Sequence, residues 1–347
     1  MIKKLLFRLS VACIAFCSLI DAKAQNINWA KDGNSYYQIA NGEIISVALP
    51  KGDRKTVISR ALLTPAGKAN AIPVRSFQLS DDGTKALIYT NSKKVWRYDT
   101  RGDYWLADLT ANKITQIGKD KPASSLMFAK LSPDGSKVAY VSKHNLYVEN
   151  VDGTGTKALT TDGTERMING TFDWVYEEEF DCRDGFRWSP DGKSIAYWQL
   201  DATKIKNFLM INNTDSIYPF TIPVEYPKVG QNPSACKVGV VDIATAKTNW
   251  LDVPGDNIQH YIPRMQWVPN SNNIILQQLN REQNESIVFI CNAATGSAKA
   301  VYTEKAKAWI DAQDEWKWLN DNKEFTILSD KDGWNHLYRI SLDGKKE

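Results

Sequence analysis

The chain has 347 residues, of which 43% are hydrophobic and 11% aromatic, so it can bury a sizeable core. This composition excludes an intrinsically disordered or a collagen-like protein. The formal net charge of +3 is small for this length and does not indicate a nucleic-acid-binding surface.

The first predicted element is a signal peptide over residues 1–24. A basic start precedes an apolar run over residues 9–20, and Ala22-Lys23-Ala24 supplies the small residues that a signal peptidase reads. We therefore expect cleavage before Gln25 and an exported protein, periplasmic or secreted. A membrane span needs about 20 apolar residues, and this run has twelve. We expect no span after cleavage, with a retained anchor as the alternative.

Signal cleavage changes both the charge and the cysteine content of the chain. The segment holds four cations and one anion, so its removal brings the formal net charge from +3 to zero, and no nucleic acid is expected as a partner. Cys182, Cys236 and Cys291 remain, and they permit at most one intramolecular disulfide, whose pairing stays open. The histidines show no paired spacing with cysteine, so we expect no metal site and no cofactor.

Residues 25–347 contain a repeated segment. Each copy has an apolar anchor, a turn of the Pro-Asp-Gly type and an alternating strand, as in residues 188–197. The anchors are Trp29, Leu79, Leu131, Trp188, Trp267 and Trp318. Their intervals of 50, 52, 57, 79 and 51 residues are typical of radial blades with about four strands each. We predict an all-β fold, a β-propeller with six blade starts whose sequence stops within the last blade.

One interval is longer than the others because of an insertion over residues 205–235. The insertion carries Tyr218-Pro219 and Tyr226-Pro227, and prolines beside aromatic residues indicate an ordered protruding loop.

Residues 173–180, Asp-Trp-Val-Tyr-Glu-Glu-Glu-Phe, place three consecutive carboxylates behind aromatic residues. Adjacent like charges raise each other's pKa and resist burial. Such a run is usually a solvated acidic surface. If it is partly buried, it indicates a site that receives a cation.

These motifs carry a resemblance to a known family. Residues 169–180, the repeat that begins at Trp188 and the two Tyr-Pro motifs of the insertion together resemble the propeller of the dipeptidyl peptidase IV group, in the prolyl oligopeptidase family of serine peptidases. The resemblance runs from about Trp29 to Glu347. It implies an eight-bladed propeller over an α/β-hydrolase domain, and release of Xaa-Pro or Xaa-Ala dipeptides from peptide N-termini.

The resemblance also implies roles for individual residues. Glu178 and Glu179 would hold the free N-terminus of a peptide substrate, while Glu177 faces away or supports its neighbours. Trp96-Arg97-Tyr98 is similar to the family segment whose arginine braces the glutamates and the substrate carbonyl oxygen, which gives Arg97 that role. The 205–235 loop resembles the arm used in family homodimers, which implies a possible homodimer of the full-length protein.

The chain departs from the family in two places. Residues 180–186 are one residue shorter than in the best-known animal members, and only residues 25–28 separate the signal from the first blade.

Catalytic chemistry is not evident in the sequence. It contains no Gly-x-Ser-x-Gly nucleophile motif and no βαβ pattern to hold one, so the three histidines gain no support as catalytic bases. We expect no catalytic residue in this chain and no activity from it alone. Two hypotheses follow: the N-terminal propeller portion of a truncated dipeptidyl peptidase, or a stand-alone propeller that binds peptides or proteins without catalysis.

Overall fold

A computed structural model describes residues 27–347, and the predicted signal peptide lies outside the described residues. The chain divides into two compact units between Val74 and Arg75. In the described part nearly all regular structure is antiparallel strand, and the single helix there has seven residues. No helix among these residues is long and apolar enough to cross a membrane.

The first unit contains one four-stranded sheet. Its strands pair in chain order: β1 (Asn28–Trp29), β2 (Ser35–Ala40), β3 (Glu43–Ala48) and β4 (Asp53–Ile58). Asn41 and Gly42 join β2 to β3 with positive φ values of 51° and 74°. Two successive positive φ values are characteristic of the type I′ turn, whose twist matches that of the strands it connects. This turn fixes the hairpin register, in which Ser35 lies opposite Ala48.

The second unit begins with two strand groups. The first group is β5 (Ser76–Leu79), β6 (Lys85–Val95), β7 (Tyr98–Asp108) and β8 (Lys113–Ile117); the second is β9 (Leu126–Leu131), β10 (Lys137–Ser142), β11 (Asn145–Asn150) and β12 (Lys157–Ala158). The long strand β7 also pairs with β9, through Arg101 opposite Met127, and this joins the two groups into one eight-stranded sheet.

The next sheet is interrupted by the helix. Its strands are β13 (Met167–Asn169), β14 (Phe186–Trp188), β15 (Ser194–Asp201), β18 (Ala235–Asp242) and β19 (Thr248–Trp250). Both β13 and β14 pair with the same strand, β15. The chain therefore leaves the sheet after Asn169, forms helix α1 (Trp174–Phe180), and returns to the same edge at Phe186.

The 205–235 insertion forms a separate two-stranded hairpin. Its strands are β16 (Asn207–Asn212) and β17 (Phe220–Glu225), and they pair only with each other among the described strands. Two further strand groups complete the unit: β20 (His260–Trp267), β21 (Asn273–Asn280), β22 (Glu285–Asn292) and β23 (Ala298–Lys305), then β24 (Trp318–Leu319), β25 (Glu324–Ser329) and β26 (His336–Ser341).

The six repeated anchors each lie in the last two residues of a strand. They fall in β1, β5, β9, β14, β20 and β24. In the turn that follows Trp188, the Asp191 carboxylate accepts hydrogen bonds from the Ser189 hydroxyl (2.7 Å) and the Lys193 amide (3.1 Å). These bonds lower the pKa of Asp191. The prediction of an all-β chain built from six repeated strand groups is confirmed.

The largest apolar cluster surrounds the helix. Tyr176 and Phe180 from α1 pack with Trp198 of β15 and Tyr261 of β20. The three cysteines are buried free thiols, and burial raises their pKa to about 11 for Cys182 and to about 12 for Cys236 and Cys291.

Candidate functional site

Helix α1 is held in place by its caps. At its N-terminus the Asp173 carboxylate accepts hydrogen bonds from the Tyr176 amide (3.0 Å) and the Ser234 hydroxyl (2.6 Å). Burial raises the pKa of Asp173, and these two hydrogen bonds oppose that shift. At its C-terminus Asp181 adopts the left-handed conformation, with φ 56°, and its amide donates to the Tyr176 carbonyl. A helix of seven residues is not stable on its own in water, so these bonds and the packing around it determine its conformation.

The buried face of α1 attaches it to β20. The Tyr176 hydroxyl accepts a hydrogen bond from the Ile262 amide (3.1 Å), and Tyr176 is fully buried. The centres of the Phe180 and Tyr261 rings lie 4.9 Å apart, and the Phe180 carbonyl accepts a hydrogen bond from Arg264 Nη1 at 2.8 Å. The helix is therefore fixed in rotation, and the direction of each glutamate is fixed with it.

The three glutamates lie in three environments, because successive residues of a helix point about 100° apart. Glu177 is buried and faces Arg183, with 3.4 Å between Oε1 and Nε. Glu178 is partly buried, with 17% of its side chain exposed, and its Oε1 lies 3.1 Å from Arg97 Nε. Glu179 is exposed.

The Glu177–Arg183 contact is an ion pair without hydrogen-bond alignment. Neither Glu177 Oε1 nor Arg183 Nε has a hydrogen-bond partner among the described residues. Burial raises the pKa of Glu177, and the neighbouring Arg183 charge only partly opposes this shift. Burial therefore disfavours the charged form of Glu177.

Arg97 reaches the helix from another part of the second unit. It lies at the tip of the β6–β7 hairpin, beside Trp96, which has a positive φ of 53°. Its side chain is 74% exposed, so the ion pair with Glu178 is screened by solvent and contributes about 0–1 kcal/mol to stability. The structure thus brings together two of the predicted site residues, Arg97 and Glu178. The third, Glu179, follows Glu178 in the helix and lines the same cavity as Glu178.

A cavity of about 550 Å³ opens beside Glu178 and Glu179. Asp311, Asp314 and Asp330 also line this cavity. Arg264 is the positively charged residue of the lining, and its guanidinium donates hydrogen bonds to backbone carbonyls. Carboxylates outnumber cations here, so the cavity favours a positively charged ligand.

Further cavities lie elsewhere. One of about 450 Å³ borders Glu177 and Arg183 on the other side of the helix. Another, of about 790 Å³, lies at the base of the hairpin and includes none of the three glutamates.

The three histidines lie in separate parts of the described structure. His144 lies between β10 and β11, His260 begins β20, and His336 begins β26. Burial lowers the pKa of His260, whose ring contacts Gln278 Nε2 at 3.0 Å. No group of three or more His, Cys, Asp or Glu residues in the described part is arranged to hold a metal ion.

Arg183 is a site residue that sequence reasoning missed. Its guanidinium contacts Tyr98, Glu177 and Asp181. The only sequence signal was its place in the shortened segment 180–186, which carries no motif of its own.

The family follows from comparison with known proteins. The model described as "Dipeptidyl peptidase IV (DPP IV) N-terminal region" matches residues 80–347. This chain belongs to that family. The chain is also 31% identical to dipeptidyl peptidase 4 of Felis catus over 297 residues, covering 78% of this chain and 38% of the relative.

Other members of the dipeptidyl peptidase IV group match over similar lengths. Prolyl endopeptidase FAP of Homo sapiens is 27% identical and covers 90% of this chain and 42% of the relative. The crystal structure of Porphyromonas gingivalis dipeptidyl peptidase 4 superposes with a TM-score of 0.83 at 24% identity, covering 93% of this chain and 46% of that one. This likeness confirms the predicted propeller fold. The chain spans about two fifths of the length of the curated relatives it matches.

Proposed function

We propose that this chain is the N-terminal substrate-anchoring propeller of an exported serine exopeptidase of the dipeptidyl peptidase IV type. The observation that carries the proposal is the contact between Arg97 Nε and Glu178 Oε1, at the edge of an acidic cavity that Glu179 also lines. In this role Glu178 and Glu179 bind the free N-terminus of a peptide, and Arg97 braces Glu178 and donates to a substrate carbonyl oxygen.

The chemistry of a peptide N-terminus fits this site. An α-amino group has a pKa of about 7.7 to 8.0, so it is mostly an ammonium at neutral pH. An ammonium donates hydrogen bonds that carboxylates accept, and such charge-assisted bonds are short and strong. Arg97 offsets the repulsion between the neighbouring carboxylates, so that both remain available as acceptors.

Fixing the amine also fixes the distance to the bond that reacts. If a serine nucleophile lies at a set distance, the bond after the second residue is placed in register, and binding energy is converted into positioning. Release of dipeptides follows from such an arrangement, and the family resemblance implies that they are Xaa-Pro or Xaa-Ala. The nucleophile would come from residues outside this sequence, because the 347 residues contain no Gly-x-Ser-x-Gly motif.

The test measures peptide binding to the full chain by fluorescence anisotropy. The probe is a short peptide that begins Gly-Pro and carries a C-terminal fluorophore. Loss of one charge-assisted bond in Glu179→Gln should weaken binding by about tenfold or more, and Glu178→Gln should act in the same direction. Glu165→Gln, an exposed glutamate away from the helix, is the control. Affinities of Glu178→Gln and Glu179→Gln within twofold of wild type would refute the proposal.

Export is the second part of the proposal. The basic start, apolar run and Ala22-Lys23-Ala24 of residues 1–24 support cleavage before Gln25. N-terminal sequencing of the protein recovered from the periplasm or medium should begin at Gln25. Recovery of an uncleaved chain would contradict it.

The hairpin of β16 and β17 supports a homodimer of the full-length protein. Leu209, Met210 and Ile211 are successive residues of β16, and 49–73% of each is exposed, so both faces of this strand present apolar surface. Apolar patches of this kind mark protein interaction sites. A second copy of the same hairpin is the partner we propose.

A further inference from the structure

We infer that Arg183 is a positioning residue that joins the hairpin tip carrying Arg97 to the helix carrying Glu178, and thereby sets the affinity of the site for a peptide amine. The part about affinity rests on the proposed function. The structural part, that Arg183 holds the hairpin tip, does not.

The segment that carries Arg183 is held tightly against the sheet. Asp181 turns the chain out of the helix in the left-handed conformation, and the Gly185 amide then donates to the Gly170 carbonyl at 3.0 Å. A Cβ on Gly185 would lie 2.6 Å from the Gly170 backbone, so only glycine allows this approach. The backbone on either side of Arg183 is therefore well defined.

The Arg183 guanidinium contacts the neighbours of both site residues. Its central carbon lies 3.7 Å from the centre of the Tyr98 ring, and Tyr98 follows Arg97 in the chain. Its Nε lies 3.4 Å from Glu177 Oε1, and Glu177 precedes Glu178. Its Nη1 lies 2.5 Å from Asp181 Oδ1, at the end of the helix.

The hairpin tip needs an anchor of this kind. The pairing of β6 with β7 is irregular between Thr90 and Lys93 and again between Lys93 and Val95, so the hydrogen-bonded ladder is weak near the tip. The Arg97–Glu178 contact is too exposed to hold it. Only 19% of the Arg183 side chain is exposed, and although Tyr98 is 48% exposed, the shielded guanidinium lies directly over its ring, where an arginine stacked on an aromatic residue is stabilising.

The first measurement is amide hydrogen exchange of residues 93–101 in the full chain. Replacing the stacked guanidinium in Arg183→Gln should speed exchange at the tip by about fivefold. Arg183→Lys keeps the charge but loses the planar ring contact, so it should speed exchange to a lesser extent. Arg187→Gln is the control, because Arg187 lies in the same loop and strand region and pairs with Asp184, with no described contact to Tyr98. If Arg183→Gln does not fold, Arg183→Lys carries the test.

The second measurement is affinity for the Gly-Pro peptide and for its N-acetyl form. Arg183→Gln should lower affinity for the free amine by about fivefold and leave the N-acetyl form unchanged, whereas a purely structural defect would lower the Tm without this selectivity. Exchange at residues 93–101 within twofold of wild type in Arg183→Gln would overturn the inference. So would faster exchange with an unchanged preference for the free amine. If the wild-type chain shows no such preference, the proposed function fails, and the exchange data alone decide whether Arg183 holds the tip.

Discussion

At the scale of single residues, one short helix places three identical side chains in different environments. Glu178 faces Arg97 and Glu179 faces solvent, so both remain available to a ligand. Glu177 turns inward to Arg183. Burial disfavours the charged form of Glu177 and raises its pKa.

The raised pKa of Glu177 predicts how its contribution to stability depends on pH. Its ordinary value is 4.5, and the folded protein holds it higher, mainly by burial. The contribution of Glu177 is therefore fully present below about pH 4.5 and is lost as pH rises through the folded-state pKa. Glu177→Gln lacks this titration. We expect the free energy of unfolding of the variant, minus that of wild type, to rise with pH over this window.

Urea unfolding of wild type and Glu177→Gln at several pH values from 4 upwards tests this prediction. Glu165→Gln, at an exposed position, serves as the control for the general effect of removing a carboxylate. A difference between Glu177→Gln and wild type that stays constant or falls with pH would be inconsistent with the assigned burial of Glu177.

At the scale of elements, α1 is an excursion from a sheet edge that returns to the same strand. Its orientation depends on the hydrogen bond between the Tyr176 hydroxyl and the Ile262 amide, which links the helix to β20. Because both groups are buried, the loss of one leaves the other without a partner.

Tyr176→Phe should therefore destabilise the chain by about 1–3 kcal/mol, since the Ile262 amide is left unpaired. Urea unfolding measures the change. Tyr197→Phe is the matched control: Tyr197 is also buried, but its hydroxyl meets the rotatable hydroxyl of Thr248 at 3.1 Å, so its removal should cost less. An equal or larger loss of unfolding free energy in Tyr197→Phe would show that the hydrogen bond between Tyr176 and Ile262 contributes no more than an ordinary buried hydroxyl.

The hairpin of β16 and β17 leads us to expect self-association of the chain. A two-stranded hairpin is at best marginally stable alone, and the exposed Leu209 and Ile211 side chains favour contact with another copy. The chain should show weak, concentration-dependent self-association in sedimentation velocity, and Leu209→Ser with Ile211→Ser should remove it. Trp334→Ser, which removes exposed apolar surface in the loop between β25 and β26, should not. A sedimentation coefficient of wild type that is independent of concentration would count against the hairpin as an interface.

The blades could be predicted from sequence because their signals are local. An apolar anchor such as Trp188 and the Asp-Gly turn after it act within a few residues, so their recurrence predicts strand groups without knowledge of the rest of the fold. The irregular parts have no such signal. The contacts of Arg183 with Tyr98 and of Arg97 with Glu178 join segments far apart in the chain, and only the folded structure shows that they meet. The pairing of Arg97 with the glutamates was predicted through the family resemblance and not from spacing.

At the scale of the whole molecule, the chain supplies six strand groups with the propeller fold of the dipeptidyl peptidase IV group. Family membership alone does not decide activity, because another relative, at 24% identity, is inactive dipeptidyl peptidase 10 of Rattus norvegicus. The fold is therefore also compatible with the second hypothesis, a propeller that binds peptides or proteins without catalysis. Recognition of a free peptide amine is the function proposed for this chain.

The most direct test is calorimetric titration of the wild-type chain with two peptides that differ only at the N-terminus. One begins with a free Gly-Pro and the other with N-acetyl-Gly-Pro. The acetyl group removes the charge that Glu178 and Glu179 are proposed to bind, so we expect an affinity about tenfold or more higher for the free amine at neutral pH. Equal affinities for the two peptides would contradict it.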